Sequence, residues 1–500
     1  SLRGNYTLAI EQLRQATDSQ SVVGKGREKY GLMISQNLAS ALSRAGENRS
    51  AKAELEGVIR TMSKQKNPDP QVLAEVYGAL GEVCFQLKEL PQSEAYLKKS
   101  IDVAVKINDD SVLWRDYTNM ARLQTATQQP ATESLASAAS SFRSPQAGVF
   151  NTAEHNPFPS TRDELGSELI NMLLANTMVE QAFITAEQVK EEGFINEWQK
   201  NGGEVKPNDR ELYNDLVTQR AHFHAAESSS TPDHMLKQWQ DWMRRHQVLA
   251  GDNRELARLI SPVPLNLPEL VAKAQENKAT LLDYLVGPKQ SFVFIIDRQG
   301  RLGAAKLAVG RDQLKTQVNS MLQASSKSGP EARATEKRLL QALYTELVPE
   351  HVAKFLPTNP DQLVLFVPDS VLFNLPMAAL VDTQGRYLVE SHTLTTLPAV
   401  LSFMDNGVAY GADQSLVFSA STDGSESREA LEANELSTIF QPDQVFKLLG
   451  QSADVSQLQE QAKGNPVLHF SAPLLLQDNN MLKSQLPMTA QQGNPKMCTT

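Results

Sequence analysis

The sequence predicts an α plus α/β chain: an amino-terminal helical-repeat solenoid, then an α/β domain with a mostly parallel central sheet. Three observations predict it. A pattern of turn, small residue and large residue recurs at a spacing of 42 residues, from Gly4 to Gly46 to Lys88. Composition then shifts to Thr, Ala, Ser, Gln and Pro over residues 127–165. From about residue 279, short apolar runs alternate with helical periodicity, the element order that builds a parallel sheet covered by helices.

Composition narrows the function classes. Of the 500 residues 41% are hydrophobic and 21% charged, enough apolar side chain for sizeable cores and too much for a disordered chain. The longest apolar runs resemble Leu363 to Val367, far short of the roughly 18 residues of a membrane span. Lys plus Arg number 48 against 58 acidic residues, for a net charge of −10, and no basic stripe stands out, so no nucleic-acid partner is expected. Two cysteines make neither a disulfide framework nor a four-thiolate metal site. A reducing compartment, the cytoplasm, is the expectation. The chain starts at Ser1 with no signal peptide, so a removed leader would be invisible.

The amino-terminal elements follow from the spacing. Gly4-Asn5-Tyr6 precedes Ala9 and Leu13, Gly46-Glu47-Asn48 precedes Ala51 and Leu55, and Lys88-Glu89-Leu90 precedes Ser93 and Leu97. Two helices of a hairpin approach closely only where one side chain is short, so Ala51 and Ser93 are expected to be buried at helix contacts. Leu38-Ala39 with Leu42, and Leu80-Gly81 with Cys84, supply the preceding helices. This pattern resembles the tetratricopeptide repeat, whose usual period is about 34 residues; the extra length fits the Pro68-Asp69-Pro70 stretch. A fourth unit around Trp114 to Ala139 keeps the periodicity and loses the spacing, as a capping repeat does. In this register Gly4 is already a hairpin turn, which predicts a chain that starts inside a repeat.

Residues 1–142 are therefore expected as repeats, 143–165 as a linker, and 166–255 as a helical segment. In the last, Leu169, Ile170, Leu173 and Leu174 lead into Val179 to Trp198, then into Arg210 to Glu227 and Met235 to Leu249. His222, His224 and His234 are expected as solvated or packed histidines rather than metal ligands, since the first two fall on different helix faces. No metal or cofactor is predicted.

Residues 256–500 carry the α/β pattern. Thr280 to Val286, Ser291 to Ile296 and Leu302 to Val309 read as a meander with turn residues at each break. Two helices lead to Leu363 to Val367, a run suited to a strand buried on both faces. Strands at 416–419, 445–449 and 467–470 follow, with helices at 428–440 and 455–463 between them. Strands 363–367, 416–419 and 467–470 are expected to share one mostly parallel sheet.

The stretch Leu363 to Leu380, with Pro368-Asp369 and Leu375-Pro376-Met377-Ala378-Ala379-Leu380, resembles the central motif of the CHAT domain, a caspase-like family often found beside tetratricopeptide repeats. Gly385 to Glu390, Thr396 to Ala399, Leu281 to Tyr284 and Ala182 to Val189 resemble its flanking segments. The resemblance implies a cysteine peptidase of the caspase and separase type, with a His–Cys dyad at the ends of adjacent parallel strands. In the family a strand reads like His-Leu-Ala-Thr-His-Gly, and its second His is catalytic. Here Val467-Leu468-His469-Phe470-Ser471-Ala472-Pro473 places His469 at the first, structural position and Pro473 at the catalytic one. Cys498 has no strand before it and is expected on a frayed tail, the domain being incomplete at its carboxyl end. Cys84 reads as a small buried hydrophobe.

No intact catalytic pair emerges; His469 and Cys498 are the candidates. The favoured reading is a catalytically silent interaction module whose repeats bind a protein or peptide. The alternatives are a cysteine endopeptidase with a departed dyad, a fragment of such an enzyme, and an unrelated α/β domain beside helical repeats.

Overall fold

The computed structural model describes residues 6–22, 28–142, 162–200, 232–252 and 265–404, with short pieces between 211 and 216 and between 415 and 499. Two compact units emerge: Ser1–Gly193 with Val205–Met404, and Phe194–Glu204 with Asp405–Thr500.

The first unit begins with helices α1 (Tyr6–Val22), α2 (Glu28–Arg44), α3 (Asn48–Met62), α4 (Pro70–Gln86), α5 (Leu90–Ile107), α6 (Asp110–Ala126) and α7 (Thr132–Phe142). The α2–α3, α4–α5 and α6–α7 turns close in the same way, as does the α5–α6 turn at Asn108 (φ 53°), where Asp109 N–H reaches the Ala104 carbonyl at 2.9 Å. Gly46, Lys88 and Gln128 each take a left-handed backbone, with φ of 85°, 62° and 58°. The next amide in each case reaches back five residues: Glu47 N–H to the Leu42 carbonyl and Glu89 N–H to that of Cys84, both at 2.9 Å, and Gln129 N–H to that of Gln124 at 2.7 Å. These are Schellman closures, which satisfy carbonyls the helix end leaves orphaned.

Ala51 and Ser93 are fully buried, as the register requires. Ser93 Oγ donates to the Gly81 carbonyl at 2.7 Å, and a Cβ on Gly81 would lie 2.6 Å from Leu97 Cγ. Backbone approach that close is possible only with glycine at that point.

Helices α8 (Arg162–Ala175) and α9 (Val179–Lys200) form a further hairpin, closed by Met178 N–H on the Leu173 carbonyl at 2.9 Å. Helix α10 (Pro232–Asp252) matches the second helix expected there, while residues 217–231 and the linker at 143–161 lie outside the described residues. Helix α11 (Leu267–Glu276) then leads into the sheet.

Five strands make this sheet, in the order β3-β2-β1-β4-β5: β1 (Thr280–Leu285), β2 (Ser291–Ile296), β3 (Leu302–Leu307), β4 (Leu363–Val367) and β5 (Thr393–Thr396). Helices α12 (Arg311–Ser325), α13 (Pro330–Leu347) and α14 (Glu350–Ala353) carry the chain from β3 to β4. Alternate residues divide between two cores. Leu281, Leu285, Phe294, Leu365 and Val367 pack against α7, α8, α9 and α11, while Leu282, Tyr284, Ile295, Val364 and Phe366 pack against α12 and α13. Helices thus cover both faces.

The sheet is mixed, which corrects the expectation of a mostly parallel one. β1 pairs in parallel with β4, and β4 with β5, but β1–β2 and β2–β3 are antiparallel. The connections at Val286–Gln290 and Asp297–Arg301 are too short for the crossover a parallel pair needs. The second of them is fixed by Asp297, whose Oδ1 accepts from Gln299 N–H at 3.0 Å and Arg301 N–H at 2.9 Å.

The second unit holds β6 (Ser415–Phe418), β7 (Val445–Leu448) and β8 (Val467–Phe470) in the order β7-β6-β8, all parallel, and the antiparallel pair β9 (Gln485–Met488) and β10 (Lys496–Thr499). The strands at 363–367, 416–419 and 467–470 therefore lie in two sheets rather than one. β4 already has both edges taken, by β1 and by the short polar strand β5, so no edge remains for a further partner.

A candidate polar centre and the positions of the expected dyad

Asp283 lies on the β1 face that packs against α9, between Leu281 and Leu285. It is fully buried, and Lys190 of α9 donates to its Oδ1 at 2.5 Å. Lys190 also pairs with Glu187, one turn back. Burial works against the Lys190 charge, but Asp283 and Glu187 outweigh it and hold its pKa up. Burial pushes Asp283 well above the usual carboxylate range, Glu187 adds to that, and Lys190 opposes it. Two carboxyl groups thus share one ammonium, and of the three groups Asp283 is the one wholly removed from solvent.

Just beyond β1 the backbone of Val286 is held at both ends. Its N–H donates to Asp369 Oδ2 at 2.7 Å, and its carbonyl accepts from Arg311 at 3.0 Å. Arg311, at the start of α12, also pairs with Asp163 of α8 at 2.6 Å. Pro368-Asp369 follows β4 directly, at the carboxyl end of its strand as expected. Burial raises the Asp369 pKa, against the pull of the Val286 hydrogen bond and of Lys190 and Arg311. The ends of β1 and β4, helices α8 and α9 and the start of α12 are therefore joined by charge-assisted hydrogen bonds, fully buried at Asp283 and partly buried at Asp369, Arg311 and Asp163. Such a centre fixes element positions.

Sequence reasoning missed Lys190 and Arg311, yet a signal for Lys190 existed. It stands four residues after Ala186 on the apolar face that carries Ala182 and Phe183. Asp283 likewise interrupts the apolar alternation of β1. Opposite charges at two core positions are best explained by each other.

The expected dyad positions are not brought together among the described residues. His469 is on β8, opposite Val417 of β6, with Nε2 3.4 Å from Glu432 Oε1 and its side chain 37% exposed. Pro473 lies outside the described residues. Cys498 is placed on β10 opposite Leu486 of β9, which corrects the frayed tail: a hairpin partner gives the segment its ladder. The pairs made by β8 and by β10 belong to different sheets. Cys84 is buried on α4, and burial pushes its thiol up to about 11 despite the nearby Lys52. His222 and His224 lie outside the described residues, and no cluster of metal-ligating side chains occurs among the described ones. No helix among them is long and apolar enough to cross a membrane.

No curated protein matches the chain. Among solved structures, BtubC (BKLC) from P. vanneervenii aligns over 52% of this chain and 93% of its own at 11% identity, with a TM-score of 0.27. A likeness at that level carries no inference. The family comparison is more specific. Residues 337–496, from within α13 to the first residue of β10, match the family model described as the CHAT domain, and over that span this chain is similar to the caspase-like CHAT family.

Proposed function

We propose that this chain is a protein-interaction module with a catalytically silent caspase-like domain. Its amino-terminal hairpins act as repeats of the tetratricopeptide type and present a groove to a protein or peptide. The observation that carries this reading is Pro473 at the position of the family's catalytic histidine. Proline has no titratable group, so the base that would form a thiolate is missing. His469 does not replace it. Four residues along an extended chain span about 13 Å, and proton transfer needs a contact of about 2.6–3.2 Å. The ladder pairing of His469 with Val417, and its contact with Glu432, suit a histidine that helps hold β8 in place. Neither cysteine supplies a ready nucleophile: Cys84 is buried and its thiol strongly protonated, and among the described residues Cys498 sits on a strand paired with β9 alone. The like closures at Gly46, Lys88 and Gln128, one after the first helix of each pair, and the close Ser93–Gly81 contact support the repeat reading.

A second reading, a cysteine endopeptidase whose repeats recognise a protein substrate, draws on one feature. Glu432 beside His469 is the kind of carboxylate that orients a catalytic imidazole. A peptide-library cleavage assay on the purified chain separates the two, run beside the Cys498→Ala and His469→Ala variants. No turnover is expected from any of them. Turnover that either substitution abolishes would establish the enzyme and refute the silent module.

A further inference from the structure

Helix α6 carries a carboxyl group where its packing calls for an apolar side chain. Asp116 is fully buried, and neither of its oxygens receives a hydrogen bond. The polar group beside it is the Ser100 hydroxyl of α5. That hydroxyl has a single proton, and it is already committed: Ser100 Oγ donates to the Ala74 carbonyl of α4 at 2.5 Å. What Ser100 turns toward Asp116 is therefore a lone pair. An ionised carboxylate would face that lone pair with no protein donor, a costly state for a buried acid. A neutral acid has an O–H that fits it.

The neighbouring acids act in the same direction. Helix α4 contributes the buried Glu75 and Glu82, and Asp109 caps α6. The nearby cation is Arg115, whose guanidinium lies 4.8 Å above the Trp114 ring. On α7 the charged residue is the exposed Glu133, and on α8 Asp163 and Glu168 are engaged by Arg311 and Arg122.

We propose that Asp116 is held as a neutral carboxylic acid that donates to Ser100 Oγ, completing a relay from Asp116 through Ser100 to the Ala74 carbonyl. The relay ties α6 to α5 and α4 and opens as the pH rises. It is a pH-sensitive latch between consecutive hairpins, and it does not depend on whether the caspase-like domain is silent. Burial is the main cause that raises Asp116 well above the usual carboxylate range, with Glu82 and Asp109 adding and Arg115 opposing. An acid whose pKa is raised on folding stabilises fully below its unfolded value near 3.8, and that contribution is lost as the pH climbs through the folded value.

Thermal unfolding of the full chain, followed by helical circular dichroism from pH 4 to pH 8, tests the latch. Asp116→Asn keeps a donor toward Ser100 and cannot ionise. It is expected to melt with the wild type at pH 4 and above it by about 2–4 °C at pH 8. Ser100→Ala is expected to lower the melting temperature more at pH 4, where the relay is closed, than at pH 8. An Asp116→Asn chain that melts below the wild type by a margin growing with pH would mean an ionised, partnered Asp116. Equal Ser100→Ala losses at both pH values would also overturn the latch.

Discussion

The Lys190 ammonium lies 2.5 Å from Asp283 Oδ1, joining a helix and a strand 93 residues apart in the chain. Both side chains project into the same apolar core, so each is the other's reason for being there. Removing the cation alone leaves Asp283 fully buried without a counter-charge. Lys190→Met is therefore expected to destabilise the chain by about 3–5 kcal/mol, read as a lowered urea midpoint. Lys190→Met combined with Asp283→Leu should recover most of the loss, because the unpaired charge goes with it. A double variant as unstable as the single one would remove the pair from this account.

Gly81 tests the hairpin register. Gly to Ala in a helix ordinarily gains about 1 kcal/mol from propensity. Here a Cβ would meet the buried Leu97 at 2.6 and 2.7 Å, so Gly81→Ala is expected to cost about 1–3 kcal/mol instead. Leu97→Ala in the same chain should turn the Gly81→Ala change neutral or favourable, a coupling that a double-mutant cycle measures.

The clamp on Val286 separates hydrogen bonding from charge. Asp369→Ala leaves the Val286 N–H without its acceptor at 2.7 Å and is expected to cost about 1–3 kcal/mol. Asp369→Asn keeps a carbonyl oxygen there. Since the folded pKa of Asp369 is raised, the acid's contribution falls as pH rises from its unfolded value of 3.8. The Asn variant should therefore gain on the wild type between pH 4 and pH 7 in denaturant melts, while the Ala variant stays below the Asn variant throughout.

Cys84 should be chemically quiet. With its thiol pushed up to about 11, roughly one molecule in a thousand carries the thiolate at pH 8. Iodoacetamide at that pH is expected to leave Cys84 unlabelled in the native chain and to label it fully in urea, by peptide mass spectrometry. Rapid native labelling would contradict its burial on α4.

What the sequence made legible were features written in local spacing. Ala51 and Ser93 stood at small-residue positions and are buried; the meander around Gly287 and Gly300 is present; Pro368-Asp369 ends its strand. The spacing lost after Lys88 shows as an α6–α7 turn at Gln128, 40 residues on rather than 42. Less was legible where partners are remote. Thr393–Thr396 is polar and half-exposed, gives no apolar signal, and still takes the second edge of β4. Periodicity reports which face a residue occupies and not which strand lies beside it, so the division of the strands into two sheets was out of its reach. Nor does it show that a serine's proton is already spent, as it is at Ser100.

One core has a practical bearing on where this protein can be cut. Trp114 and Phe142 of the last hairpin, edge-to-face at 4.9 Å, belong to the same apolar cluster as Phe183 of α9 and Phe294 of β2, themselves edge-to-face at 5.5 Å. A break placed after α7 would thus strip the cover from an aromatic seam instead of parting two modules. The excised carboxyl-terminal piece would offer its neighbours in solution a raw apolar wall, the usual prelude to inclusion bodies. The hairpin formed by α6 and α7 behaves as a coping stone, last of the helical course and first of the wall it finishes. Recombinant pieces meant to stay monodisperse should begin ahead of Asp109.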